Sequence, residues 1–343
     1  MRILRTLLLV LAALALLLVA AAFALPRQVH VERSTTIAAP PATVYALVSG
    51  FRSYASWSPW HARDPGASYR FEGPAWGVGA KLSWSSEEPS VGSGSQEIVE
   101  TVPNERVRTR LDFGAGDQAT GEFRLSAAAG GTRLTWGFDT DLGANPLARY
   151  FGRLFDGTVG PDYEQGLANL KRLAEGLPKA DFSGLEVELV DVAPMLVAYA
   201  TGTSSRDPAE IGAAVAAAYA RVGKFLTARR LAQIAAPIRV TTRWDESGFG
   251  FEAAIPIDRE PEKQVQADSP VQIGRTRGGK ALRAVHRGPS AGMPETYDKL
   301  LAYAAAHGHA IEGNPWDQQV NDPATTPESE LVTHLYLPLK SES

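Results

Sequence analysis

The chain has 343 residues, more than one ordinary core fills, so two domains of roughly 150 residues each are expected. Lys+Arg 34 against Asp+Glu 38 leaves a formal net charge of −4, and with no basic stripe or helix-turn-helix segment this argues against a nucleic-acid partner. Cysteine is absent, which excludes disulfides, thiolate metal sites, thiol catalysis and lipid attachment through Cys together.

Residues 1–28 read as a membrane or export segment. Thr6 to Leu25 is an almost unbroken apolar run preceded by Arg2 and Arg5, close to the twenty or so residues that cross a bilayer. The rival reading is a cleaved signal peptide, for which Ala22-Phe23-Ala24 offers a small-x-small site. The run is longer than the usual hydrophobic region of about 7–15 residues, which favours a retained anchor in contact with lipid over residues 6–25. Arg2, Arg5 and the amino terminus, against Arg27 and Arg33, favour a cytoplasmic amino terminus. The expectation is a single pass in the inner (cytoplasmic) membrane with the soluble part exported to the periplasmic side.

The first soluble domain spans 29–176. Val29 to Ile37 alternates like a strand, and Ala39-Pro40-Pro41 opens a short helix over Ala42 to Ser49. Strands are predicted at Ser68 to Glu72, Ala80 to Ser86, Ser95 to Val102, Val107 to Phe113, Gly121 to Ala127 and Thr132 to Asp139, separated by turn signals such as Pro103-Asn104 and Gly130-Gly131. After Asn145-Pro146 the period becomes helical, with Tyr163, Leu167, Leu170, Leu173 and Ala174 on one stripe. Three segments, IAAPPATVYALVSGFRSYASWSPW, GGTRLTWGF and VGPDYEQGLANLKRLAE, resemble the START-like, polyketide-cyclase-like (SRPBCC) family. The resemblance implies a curved antiparallel sheet gripping the long C-terminal helix around a cavity. Five of the seven Trp fall in this domain and read as core, and His61 beside Trp60 as a solvated loop residue. Members of that family range from lipid carriers to cyclases, so the fold leaves activity open.

Leu177-Pro178 to Gly184 has the composition of a linker, so 177–184 separates the domains. The second domain, 185–340, repeats its own plan: Phe249 to Ile257 (FGFEAAIPI) aligns without a gap on Leu331 to Leu339 (LVTHLYLPL). Each half reads as a βαββ unit. The first has strand Leu185 to Gly202, helix Asp207 to Thr227 and strands Ile238 to Trp244 and Phe249 to Ile257. The second has strand Val271 to Arg287, bent or broken near Gly278-Gly279, helix Pro294 to His307 and strands Trp316 to Asn321 and Leu331 to Leu339. The fold class is therefore α+β: an N-terminal transmembrane helix, a helix-grip antiparallel sheet domain and a duplicated βαββ domain. Period-two alternation puts Phe249, Phe251, Ala253 and Ile255 on one face with Leu331, Thr333, Leu335 and Leu337, and Glu252, His334 and Tyr336 on the other, where they are expected to wall a ligand pocket.

Two further stretches, HRGPSAGMPETYDKLLAYAAAHG and GNPWDQQVNDPATTPESELVTHLYLPL, resemble the GyrI-like, AraC-type effector-binding domain family. The resemblance implies a cleft between the half-repeats that takes small apolar, often cationic molecules, with a carboxylate in it. This sequence departs from the family where a Glu followed two residues later by a Tyr is usual, carrying Asp317 and Gln319, and where a Glu is common in the last strand, carrying His334. The candidate ligand-binding residues are Asp317, Trp316, Gln319, His334, Tyr336, Glu252 and Tyr297. Metal ligands and cofactors are not expected. His307 and His309 read as helix-end caps, Gly278-Gly279 as a bulge, and no Walker loop, His-x-x-x-His pair or Ser nucleophile motif is present.

Three functions fit. One is a membrane-anchored protein with two cavities that binds an apolar or cationic small molecule and has no DNA-binding module. The second is a hydrolase of small electrophilic compounds with Asp317 and His334 as acid/base pair and Tyr336 or Tyr297 as donor. The third is a structural or partner-binding envelope protein whose cavities are vestigial and whose protein partner is unknown.

Overall fold

The computed structural model describes residues 2–114, 118–322 and 325–340, which fall into two compact units, residues 1–181 with 306–308, and residues 182–305 with 309–343. Each unit is built on one antiparallel sheet.

In the first unit, α1 (Arg2–Phe23) is followed by β1 (Gln28–Ile37) and the short helices α2 (Pro41–Val48), α3 (Tyr54–Trp57) and α4 (Pro59–Arg63). Next come β2 (Ser68–Glu72), β3 (Lys81–Ser85), β4 (Ser93–Val102), β5 (Arg106–Asp112), β6 (Gln118–Ala128) and β7 (Gly131–Asp141), then α5 (Pro146–Gly152) and the long α6 (Phe155–Gly176). The strands form a seven-stranded sheet in the order β1-β7-β6-β5-β4-β3-β2, a meander closed by its first strand. Every strand expected here is present, whereas α3 and α4, each about a turn long, are too short for periodicity to detect. Along α6, Tyr163, Leu167, Leu170 and Ala174 are buried, as their shared stripe requires, and the helix packs along β1.

Rings pack between α6 and the sheet. Trp136 of β7 stacks on Tyr163 of α6 with centroids 3.8 Å apart, and on Phe123 of β6 at 5.0 Å, while Trp57 meets Trp136 edge-on at 5.5 Å. Trp57 and Trp136 are thus core, as expected, and Trp60 packs against them; Trp76 is exposed at the surface. Gly166 permits this packing, because a Cβ there would meet the Trp136 ring at 2.7 Å.

The second unit contains β8 (Val187–Val192), β9 (Leu196–Ser204), α7 (Pro208–Arg229), β10 (Ile238–Asp245), β11 (Gly248–Pro256), β12 (Gln272–Arg275), β13 (Gly279–Arg287), α8 (Met293–Ala306), β14 (Trp316–Gln319) and β15 (Val332–Pro338). The Asp207 carboxylate caps α7 by accepting from the N–H groups of Ala209 and Glu210, with Pro208 in the first turn. The sheet runs β12-β9-β11-β10-β14-β15-β13-β8. Mapping each half-repeat onto the other reverses this order onto itself, so the halves are related by an approximate twofold axis between β10 and β14.

The strand expected over Leu185 to Gly202 is two strands that lie at distant places in the sheet: β8 pairs with β13, and β9 with β11 and β12. Pro194, which has no N–H to give a ladder, breaks it. The equivalent break at Gly278-Gly279 falls against the first: Met195 N–H donates to Thr276 Oγ1 at 2.8 Å, and a Cβ on Gly278 would meet Pro194 at 2.7 Å. Each half therefore lends its leading strand to the other.

Both helices lie on one face of this sheet. Ala218, Val222 and Leu226 of α7 pack on Phe249, Phe251 and Ile255, and Leu300 and Ala304 of α8 on Leu282, Leu335 and Leu337. A smaller cluster, with Ile238, Ala254, Ala281, Trp316 and Tyr336, occupies the opposite face. The apolar face is thus the one that alternation predicted.

Gly166→Ala is expected to lower the stability of the first unit by about 1–3 kcal/mol through overpacking against Trp136. Gly157→Ala on the same helix, where a Cβ meets nothing within 4 Å, should be neutral or stabilising by up to about 1 kcal/mol. Thermal denaturation of the two variants beside the parent checks the contrast.

Candidate ligand-binding site

Where the two half-repeats meet, β10 and β14 pair antiparallel and place Arg239 directly opposite Asp317. These are equivalent positions of the duplication. Arg239 faces Ala253 in the first half, Asp317 faces Leu335 in the second, and Ala253 aligns with Leu335 in the repeat. The twofold thus brings one position against its own copy, occupied once by a base and once by an acid.

Arg239 Nε donates to Asp317 Oδ2 at 3.0 Å and Nη2 lies 2.9 Å from the same oxygen. Both side chains are nearly buried, 15% and 10% exposed, so the pair is held in a low-dielectric setting where neither charge is stable without the other. Burial opposes the Arg239 charge, but the Asp317 carboxylate outweighs it and the guanidinium titrates above its ordinary value. Burial pushes the Asp317 carboxyl upward, and Arg239 counters that push. The guanidinium also lies 5.7 Å from the Phe249 ring centroid and 3.8 Å from Met293 Sδ.

The pair stands at a cleft of about 720 Å³ on the helix-covered face. Ile211 of α7, Tyr297 and Leu301 of α8, and Trp244 and Phe249 of the sheet supply its walls, with Arg206 and Asp298 among its charged residues. Trp244 meets Phe249 edge-on at 5.7 Å and carries the Arg206 guanidinium 4.8 Å above its ring. The Tyr297 hydroxyl is buried and has no hydrogen-bond partner among the described residues. Burial, with Asp317 adding and Arg239 opposing, pushes this phenol well above its ordinary value, so it is held protonated. Volume and lining are those of a small-molecule site, mostly apolar with a few convergent polar groups.

The structure divides the residues expected from sequence between the two faces. Tyr297 lines the cleft, and Asp317, paired with Arg239, is on the same face but outside the lining. Gln319 pairs with Thr333 on the Asp317 side, at the strand end, half-buried, and its amide donates to the Val332 carbonyl at 3.5 Å. The other four lie on the opposite face: Glu252, Trp316 and Tyr336 fall on one row through the pairings Glu252–Val240–Trp316–Tyr336, and His334 is opposite Gln318. Trp316 and Tyr336 stack at 4.9 Å, buried within the small cluster. Burial raises the Glu252 carboxyl, and burial together with Arg283 lowers the His334 imidazole.

Two expectations are corrected by this geometry. Asp317 and His334 do not form an acid/base pair, because one is opposite Leu335 and the other is its neighbour on the same strand, so their side chains leave the sheet on opposite faces. The cleft is also not walled by Glu252, His334 and Tyr336; it lies on the face the helices cover, between them. Pattern reading missed Arg239, Arg206, Trp244 and Met293. Arg239 left a signal, an ionisable residue on the apolar face of an alternating strand, at the repeat position of Asp317. Pro323 of the Asn-Asp-Pro turn lies outside the described residues.

Residues 185–340 match the family described as GyrI-like small molecule binding domain, and residues 28–175 match polyketide cyclase / dehydrase and lipid transport. The chain joins an SRPBCC-like domain to a GyrI-like domain. Solved structures similar to it include the EcmrR C-terminal domain, at 12% identity over 46% of this chain and 99% of that one with a TM-score of 0.40. Another is protein CV1439 from Chromobacterium violaceum, at 21% identity over 44% and 99% with a TM-score of 0.33. The di-domain ARO/CYC StfQ from the steffimycin biosynthetic pathway aligns at 12% identity over 43% and 51% with a TM-score of 0.35. No curated protein matches the chain. The GyrI-like domain holds the cleft described above, and the SRPBCC-like domain holds the aromatic stack on α6.

Arg239→Met should destabilise the GyrI-like domain by about 3–5 kcal/mol, because it strands the Asp317 carboxylate among apolar groups. Arg239→Met combined with Asp317→Leu should recover most of that loss. Denaturant titrations of the parent, the single and the double variant read the difference.

Proposed function

We propose that the protein is a membrane-anchored binder of a small, largely apolar molecule, taken up in the cleft of the GyrI-like domain between α7 and α8. One observation carries the reading: about 720 Å³ of cleft with apolar walls converges on a buried guanidinium and a phenol that lacks a partner. A buried polar atom left unsatisfied costs free energy in the empty protein, and a ligand that satisfies it recovers that cost. The match of residues 185–340 to small molecule binding domains supports the same reading. Hydrolysis finds less support, since the pair expected to act as acid and base is split across the sheet.

To test it, Leu301→Trp places a large ring in the cleft from α8 and leaves both residues of the ion pair unchanged. Binding of 2-naphthalenemethanol, a neutral aromatic probe, followed by calorimetry, should weaken at least about tenfold while the melting temperature stays within a few degrees. Unchanged binding would move the ligand site elsewhere.

A second cavity, in the SRPBCC-like domain, finds support in Trp57 Nε1, His61 Nδ1 and the Tyr69 hydroxyl, which are buried without hydrogen-bond partners among the described residues; the His61 and Tyr69 rings lie 5.4 Å apart. The two domains are read as folding separately on either side of residues 177–184.

The anchor reading rests on α1. Leu4–Phe23 has mean hydropathy 2.9 and is almost wholly exposed, and its 20 residues give about 30 Å of helix, the thickness of a hydrocarbon core. The neighbouring α5 adds support: Tyr150 donates its hydroxyl hydrogen to the Leu18 carbonyl at 2.7 Å, and Leu147, Phe151 and Leu154 stand exposed beside it. Apolar side chains flanking a span suit the membrane interface. Retention in the inner membrane with the domains on the periplasmic side completes the proposal. The full-length chain should stay with carbonate-washed membranes and be cut by protease added to spheroplasts; a shortened form found in the soluble periplasmic fraction would identify the segment as a cleaved signal instead.

A further inference from the structure

We infer that the cleft selects an apolar molecule bearing a carboxylate over the corresponding cation. This deepens the ligand-binding reading and rests on it. The GyrI-like resemblance led to an expectation of cations held by the carboxylate of Asp317. In this chain the group that lines the cleft is Arg239, and Asp317 is not part of the lining. The acid stands behind the base, with its charge matched.

Arg239 directs both Nε and Nη2 to one oxygen of Asp317, and its Nη1 N–H groups have no acceptor among the described residues. Tyr297 adds a second donor, a phenol whose hydroxyl is buried and unpartnered. Both groups belong to the lining of one cleft, and both ask for an acceptor oxygen. A guanidinium bonds most strongly to a carboxylate, through charge-assisted hydrogen bonds. Arg206, held over Trp244 in the same lining, adds a second positive charge. The acid among the lining residues, Asp298, is exposed to solvent, where water weakens its field. An ammonium ligand would have to approach Arg239 as a like charge, or break the buried pair to reach Asp317, which is costly in this setting.

Three probes that share one ring separate the possibilities: 2-naphthoate, 2-naphthalenemethanol and 2-naphthylmethylammonium, titrated calorimetrically into the full-length protein. Naphthoate should bind about tenfold or more tighter than the ammonium, with the alcohol between. The double variant Arg239→Gln with Asp317→Asn keeps a hydrogen-bonded pair without stranding a charge. In it the ratio of naphthoate to ammonium affinity should collapse to within about threefold, with measurable binding of the alcohol reporting that the cleft is still formed. Tyr297→Phe should weaken naphthoate by about three- to tenfold. Equal binding of all three probes, preference for the ammonium, or a preference that survives in the double variant would overturn the carboxylate assignment and leave the cleft as a ligand site. Failure of the neutral alcohol to bind would remove the ligand-binding reading, and this inference with it.

Discussion

The Arg239–Asp317 ion pair lies where the duplication folds back on itself, and the architecture of the GyrI-like domain constrains it from both sides. Two copies of a βαββ unit related by an approximate twofold must juxtapose equivalent positions across the axis, here opposite each other in β10 and β14. Two identical residues there would be either both charged alike or both neutral. An acid on one copy and a base on the other satisfies the contact with a buried, hydrogen-bonded pair. The pair also breaks the symmetry of the cleft: the base lines it and the acid does not. A duplicated fold has thereby acquired a directional floor between two otherwise similar helices.

The exchange of leading strands gives that floor its rigidity. Because β8 joins the second half and β12 the first, neither half completes its sheet without the other. The cleft is therefore formed between two parts that cannot separate without losing ladder hydrogen bonds, which is how a binding site on a small domain is kept preorganised. The SRPBCC-like domain uses a different means. Its long helix is fixed by stacked rings, Trp136 on Tyr163, brought close by Gly166, so that rigid aromatic area takes up space between helix and sheet.

These arrangements bear on activity. General acid/base catalysis needs its two groups within reach of one substrate, and the sheet puts Asp317 and His334 on opposite faces. Asp317 is further committed to Arg239, and His334 is a half-buried imidazole whose proton affinity is lowered by burial and by Arg283. Recognition of an acceptor by fixed donors, as proposed for the cleft, asks only for geometry and desolvation.

Much of this was legible in the sequence. Periodicity and turn signals located the strands of the first sheet and most of those of the second to within a few residues, with the stripe on α6 and the buried face of β11 and β15, because side-chain alternation and helical spacing are local properties of the chain. The duplication was legible too, since FGFEAAIPI and LVTHLYLPL align without a gap. What sequence could not give was which strand sits beside which. The run from Leu185 to Gly202 looks like one strand, but Pro194 divides it into two that belong to different halves, and only the closed sheet reveals the exchange. The partner of Asp317 was hidden for the same reason: Arg239 lies 78 residues away, and the two meet through pairing across the twofold. Alternation states that two residues share a face, but register and helix placement determine which face holds the cleft, and both are set by long-range packing.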